Sequence, residues 1–113
     1  MGRSWLGHTT ASGEMFDPDR LTGAHPSLPL PSFVYVTNRA NKRTILIRVN
    51  DRAPATDGRV IVVSEVAARL LDFHNAGHAV VDLQYAGPAS PKPNTTHEAA
   101  FLTRQPWFHP DLL

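Results

Sequence analysis

Apolar and polar positions alternate most cleanly between Phe33 and Val49. Phe33-Val34-Tyr35-Val36-Thr37 predicts a β-strand, Asn38-Arg39-Ala40-Asn41-Lys42 a polar turn, and Thr44-Ile45-Leu46-Ile47-Arg48-Val49 the returning strand of a hairpin. β-Branched residues dominate both arms, as a pleated and half-buried surface prefers. Arg59–Val63 and Ala79–Tyr85 predict two further strands. In the second, Val81, Leu83 and Tyr85 share one face, with Asp82 and Gln84 on the other.

Helical signals are short. Asp17-Pro18-Asp19-Arg20-Leu21 offers an aspartate N-cap followed by proline at the first helical position. Ser64-Glu65-Val66-Ala67-Ala68-Arg69-Leu70-Leu71 offers a serine N-cap and an acidic first residue, with Val66, Ala67 and Leu70 at core-facing spacing. After Tyr85 the pattern lapses. Ala86–Thr96 carries Pro88, Pro91 and Pro93 and reads as a linker. His97–Gln105 predicts one or two amphipathic turns that stop before Pro106. Trp107 and Phe108 follow and are expected to fold back onto the domain. The chain thus divides into a barrel over 1–86 and a Pro-rich linker and tail over 87–113. Six strands at most, one or two short helices and no long crossover predict a mainly β protein, a small barrel that carries function on its loops.

Composition narrows the function classes. The chain has 113 residues, enough for one core. Its net charge is +1, with no block of like charge, so nothing marks a nucleic-acid or anionic-lipid partner. The longest apolar run, Val60–Val63, is too short to span a bilayer. The absence of cysteine removes disulfides, thiolate catalysis and a thiolate zinc site from consideration. Met1–Leu6 has no apolar h-region of an export signal.

Three titratable side chains sit in short polar segments beside apolar ones: Glu14 in Thr10-Ala11-Ser12-Gly13-Glu14, His25 in Thr22-Gly23-Ala24-His25, and Asp51 in Asn50-Asp51-Arg52. Two carboxylates and an imidazole suffice for acid/base chemistry if the fold gathers them. Taken singly, each also has an ordinary reading. Asp51 pairs with Arg52 or Arg48 or bonds turn amides, Glu14 is a solvated loop charge, and His25 before Pro26 is a turn residue. Trp5 and Tyr35 are candidates for stacking on a sugar or for plain packing. His74 and His78 lie four apart, the helical spacing of a zinc pair, but Asn75 and Gly77 point to a turn and no third ligand is near. Neither a metal nor another cofactor is expected.

In order along the chain, Ser4-Trp5-Leu6-Gly7, Thr10-Ala11-Ser12-Gly13-Glu14, Phe16-Asp17, Leu21-Thr22-Gly23-Ala24-His25, Leu28-Pro29, Val34-Tyr35-Val36-Thr37-Asn38, Val49-Asn50-Asp51-Arg52-Ala53-Pro54 and Arg59–Ser64 resemble the motif series of the RlpA-like (rare lipoprotein A) family. The resemblance covers Ser4 to Tyr85 and implies a six-stranded double-psi β-barrel. It further implies a lytic transglycosylase of the bacterial cell envelope or periplasm, of the septal-ring type. Such an enzyme cleaves peptidoglycan glycan strands between N-acetylmuramic acid and N-acetylglucosamine and leaves 1,6-anhydro ends. Peptidoglycan, and cell-division or other envelope proteins, are the implied partners. The family's catalytic residues map onto Asp51, Glu14 and His25, with Trp5, Tyr35, Asn50 and Arg52 as substrate-binding candidates.

Lytic cleavage uses the sugar's own 6-hydroxyl as nucleophile. One carboxyl group then suffices, protonating the leaving oxygen and taking the hydroxyl proton, where an ordinary glycosidase needs two. The acid is protonated near neutral pH, which calls for burial or a neighbouring like charge. Asp51 is the expected acid, with Glu14 as the negative neighbour and His25 as a hydrogen-bonding partner. The sequence departs from the pattern at Leu6, at Ala53, in a shorter loop after Gly7, and at Val62, where the family has aspartate. The competing expectation is therefore a non-catalytic polysaccharide-binding barrel. A third is a structural barrel whose Trp107-Phe108 tail docks on an envelope partner.

Overall fold

The computed structural model describes residues 7–54, 60–91, 96–109 and 111. The chain order is β1 (Thr22–Ala24), β2 (Ser32–Asn38), β3 (Thr44–Asp51), β4 (Val62–Val63), α1 (Glu65–Leu70), β5 (Val81–Pro88) and α2 (Thr96–Thr103). The strands form one sheet in the order β4-β1-β3-β2-β5. β3 is its centre. It runs antiparallel to β2, with Tyr35 opposite Leu46, and parallel to β1, with Thr22 opposite Arg48. That parallel pair sends the chain ends after Ala24 and Asp51 to the same edge of the sheet. Every residue from Ile45 to Asn50 is buried, as a central strand covered on both faces must be. Ile45, Ile47 and Val49 pack with Val34, Val36, Ala67, Leu70 and Leu71 in the main core. Arg48 and Asn50 point the other way and are buried by other means.

The hairpin forms as the alternation predicts, and its turn has a second job. Asn38 and Asn41 donate their side-chain amides to Leu71 O at 2.8 and 2.9 Å, and Arg43 reaches Leu70 O at 3.2 Å. These donors satisfy carbonyls that the end of α1 leaves open. At the other end Ser64 is the N-cap: its Oγ accepts from Ala67 N and donates to Arg20 O at 2.6 Å. Ala67 and Leu70 are buried as their spacing predicts, while Val66 is half-buried.

Several elements differ from expectation. Asp17–Leu21 is a turn, not a helix. Asp17 Oδ1 accepts from Asp19 N, Arg20 N reaches Asp17 O, and the chain enters β1 at Thr22. Too few residues intervene to repay helix nucleation. β1 itself has no sequence signal, because three residues including a glycine carry no periodicity. It exists through its neighbours: a Cβ on Gly23 would stand 3.1 Å from Val62 O and 3.2 Å from the Ile47 side chain. The strand expected over Arg59–Val63 is Val62–Val63, and Arg59 lies outside the described residues. The strand expected over Ala79–Tyr85 begins at Val81 and continues to Pro88, beyond the expected barrel boundary at Ala86. Its register shifts between Phe33 and Val34, and Gly87 takes φ +104. Five strands are present among the described residues, one fewer than the expected maximum.

The C-terminal segment packs on the barrel. Leu102 joins the core, Trp107 and Phe108 pack against it, and Arg43 lies 5.0 Å above the Trp107 ring. His74 and His78 sit in an exposed turn closed by Gly77 N to Phe73 O. Among the described residues no helix is long and apolar enough to cross a membrane.

Candidate functional site

The sheet edge where β1 and β3 end brings together Asp51, His25 and the loop that carries Glu14. Ala24 is in register with Asp51, and His25 N donates to Asp51 O at 3.1 Å. The Thr10–Glu14 loop closes the third side. Ser12 N donates to Asn50 O at 3.0 Å, and Ala11 N donates to Asp51 Oδ1 at 2.9 Å. The loop is tightened by Gly13 N to Thr10 O and by Gly13 at φ +91, a conformation that glycine adopts without strain.

Glu14 and Asp51 have unlike surroundings. Glu14 is 8 % exposed. Its carboxylate accepts from Arg48 Nε at 3.0 Å and Arg48 Nη2 at 2.6 Å, a two-pronged pair, and from Asn50 Nδ2 at 3.1 Å. Burial pushes the Glu14 carboxyl up, but the hydrogen bonds from Arg48 and Asn50 and the charge of Arg48 outweigh it. Its proton affinity ends below the ordinary glutamate value. Glu14 is therefore ionised at neutral pH and its charge is matched by Arg48. The reading of Glu14 as a solvated loop charge is thereby overturned, since the carboxylate is buried on Arg48. Asp51 is half-buried and pairs with neither Arg48 nor Arg52 through its side chain. Its Oδ1 accepts two amides, Ala11 N at 2.9 Å and Arg52 N at 2.8 Å.

His25 is half-buried, and its Nδ1 accepts from Ser27 N and Leu28 N, both at 3.1 Å. Burial, and then the charge of Arg52, lower its proton affinity below the ordinary histidine value. Arg52 is exposed, and its Nη1 donates to His25 O at 3.3 Å and Leu28 O at 2.5 Å.

The remaining candidates divide. Asn50 stands beside the site but is 1 % exposed, so in this conformation it holds Glu14 and has no surface to offer a ligand. Tyr35 is elsewhere. It pairs with Leu46, roughly 16 Å up the strand from Asp51, and its ring meets Phe101 of α2 at 5.1 Å. There it lines an open groove of about 600 Å³ with Thr37, Thr44, Asp82, Gln84 and Phe101. Trp5 lies outside the described residues. Val62 pairs with Ala24 from the β4 side, so the position where the family pattern has aspartate flanks the same strand end with an apolar side chain.

Arg48 is the residue that motif reading passed over. Its signal was present: a cation in the interior of Ile45–Val49, on a strand apolar on both sides, demands a buried anion. The C-terminal segment completes its surroundings. Arg48 Nη2 donates to Ser90 O at 2.7 Å, and Glu98 of α2, 2 % exposed, lies within its field. Among the described residues no cluster of three potential metal ligands occurs.

Comparison with known proteins identifies the family of the chain. A family model described as lytic transglycolase matches residues 2–83. The double-psi β-barrel is the fold of that domain, and the mainly β sheet with two short helices fits it. The chain is 51% identical over 87 residues to the endolytic peptidoglycan transglycosylase RlpA of Yersinia pestis, covering 77% of this chain and 24% of that protein. It is 40% identical over 101 residues to the protein of the same name from Vibrio cholerae, covering 87% of this chain and 38% of that one. The RlpA protein of Neisseria meningitidis is 39% identical over 101 residues, covering 89% and 42%. The chain thus spans less than half the length of these relatives.

Proposed function

Because the chain belongs to the lytic transglycolase family, we propose that it cleaves peptidoglycan glycan strands between N-acetylmuramic acid and N-acetylglucosamine, leaving 1,6-anhydro ends. The observation that carries this reading is the meeting of Asp51, His25 and the Glu14 loop at one sheet edge, with Glu14 held in a buried ion pair and Asp51 half-buried on two backbone amides. Asp51 is the acid/base. Two backbone amides, of Ala11 and Arg52, occupy Oδ1 and orient the carboxyl group, so Oδ2 is the oxygen assigned to the proton transfers. That proton passes to the glycosidic oxygen as the bond from the muramic anomeric carbon breaks. The muramic 6-hydroxyl then bonds to the same carbon and returns its proton to Asp51, so no water enters and the acid is regenerated. Glu14 is the anchoring carboxylate. It holds Arg48 and Asn50, and through its loop it presents the Ala11 amide to Asp51. The relatives' printed names, endolytic peptidoglycan transglycosylase, support this substrate class and with it a place in the cell envelope.

Val62 favours a second reading, a glycan-binding barrel without turnover, since it sets an apolar side chain beside the site. Incubation with peptide-free glycan strands and mass spectrometry of the products separates the two. The first reading expects anhydro-ended fragments. Retention of the glycan with no fragments would leave the second.

A further inference from the structure

The imidazole of His25 is restrained in a way that selects one chemical role. Backbone amides only donate, so Nδ1, 3.1 Å from both Ser27 N and Leu28 N, holds its lone pair between two N–H groups. A neutral ring has one ring proton, and here that proton belongs on Nε2. A second proton on Nδ1 would oppose two N–H groups at hydrogen-bond distance. The loop that supplies these amides is itself fixed. Pro26 and Pro29 flank Ser27 and Leu28, and Arg52 Nη1 bridges His25 O and Leu28 O. His25 N is tied to Asp51 O. Since Nδ1 turns into its own loop, the opposite edge of the half-buried ring, Nε2–H, is the edge left to meet a ligand.

We propose that His25 acts as a neutral, tautomer-locked hydrogen-bond donor, presenting Nε2–H to an acceptor oxygen of the glycan, and that Arg52 is the positioning residue that holds the lock. The proposal rests on the catalytic reading of the cleft and assigns a role within it. A general base needs an exposed lone pair, and Nε2 has none in this tautomer. A general acid needs a second ring proton, and the two amides oppose it. Among the described residues, the charged group whose field acts on the ring is Arg52, which directly follows β3. β4 contributes the apolar Val62 and Val63. Burial and the Arg52 charge both hold the ring neutral.

Long-range nitrogen–proton correlation spectra of the imidazoles in the 113-residue chain test the lock. They would be recorded from about pH 5 to about pH 8, where an ordinary histidine titrates. The expected result is a pyrrole-type Nε2 and a pyridine-type Nδ1 for His25 at neutral pH, with titration displaced to lower pH. A proton on Nδ1, or an imidazolium at neutral pH, would overturn the proposal. Arg52→Met should let the second tautomer appear. Adding a peptide-free glycan oligomer should move the Nε2–H resonance. Its staying fixed while the Asp51 carboxyl signal moves would also overturn it. In turnover, His25→Gln, which offers an amide N–H at similar reach, should keep more activity than His25→Ala and leave the pH profile in place. Loss of a limb of that profile in His25→Gln would assign acid/base work to the ring instead. Failure of the wild-type chain to form anhydro product would count against the catalytic reading itself, whereas the position of the ring proton does not depend on turnover.

Discussion

At the scale of single residues, the site depends on a buried ion pair whose partners come from distant parts of the chain. Arg48 and Glu14 are 1% and 6% exposed in their side chains and 2.6 Å apart. Breaking such a pair from one side strands a buried charge. Arg48→Met should therefore destabilise the fold by about 3–5 kcal/mol in urea denaturation, and adding Glu14→Gln should recover part of that loss. The pair also sets an acid limit. Because the Glu14 carboxyl is lowered in the fold, its stabilisation is complete above the ordinary value of 4.5 and is lost as pH falls through the lower, folded-state value. Denaturation midpoints measured on the acid side should fall less steeply in Glu14→Gln than in the wild type. Glu98 carries the opposite sign. Burial raises its carboxyl above 4.5 against the opposing effects of its own backbone amide, Arg48 and Arg20, and its Oε1 has no hydrogen-bond partner among the described residues. The folded state keeps that proton longer than the unfolded chain, so its contribution weakens as pH rises from 4.5 through the folded-state value. Glu98→Gln should thus gain stability relative to the wild type at neutral pH and gain less, or none, at lower pH.

Residue types and order revealed much of this site, but not its wiring. The motif series named Glu14, His25 and Asp51 together. It left the ordinary readings of Asp51 open, and one of them is realised in part: Asp51 does bond turn amides, though Ala11 comes from a loop forty positions away. The pairing of Arg48 with Glu14 in preference to Asp51 depends on side-chain direction along β3. Alternation dictates that Arg48 and Asn50 share a face, but which loop covers that face is a tertiary fact. Tyr35 shows the reverse. Its position on the outward face of β2 was readable, but its distance from the site was not, because register against β3 fixes it.

At the scale of elements, legibility followed length. The hairpin was read from the alternation of its long arms, and α1 from its serine cap, acidic first turn and core-facing spacing. β1 was missed and the Asp17–Leu21 helix wrongly expected, since three to five residues hold too little periodicity to outweigh their neighbours. The short elements are fixed by side-chain bonds, which makes them sensitive. Ser64 both caps α1 and ties Arg20 O, so Ser64→Ala should cost about 1–2 kcal/mol, the upper part of the range for a lost cap. Asn41→Ala should cost less, because Asn38 still bonds Leu71 O.

At the scale of the molecule, the parallel β1–β3 pair explains why the candidate residues Asp51 and His25 meet at one edge of the barrel. Parallel strands end together, so the residues following Ala24 and those ending β3 are neighbours without further design. The C-terminal segment, read from sequence as one or two amphipathic turns with aromatics that fold back, adds a second support through Ser90 O, Glu98 and Leu102. The central claim is that Asp51 alone performs the proton transfers of a lytic cleavage. Mass spectrometry of peptide-free glycan strands after incubation with the wild-type chain and with Asp51→Asn tests it most directly. The account predicts 1,6-anhydro ends from the wild type and a rate at least about 100-fold lower from Asp51→Asn with its fold intact. Undiminished anhydro product from Asp51→Asn, or reducing ends in place of anhydro ends from the wild type, would contradict it.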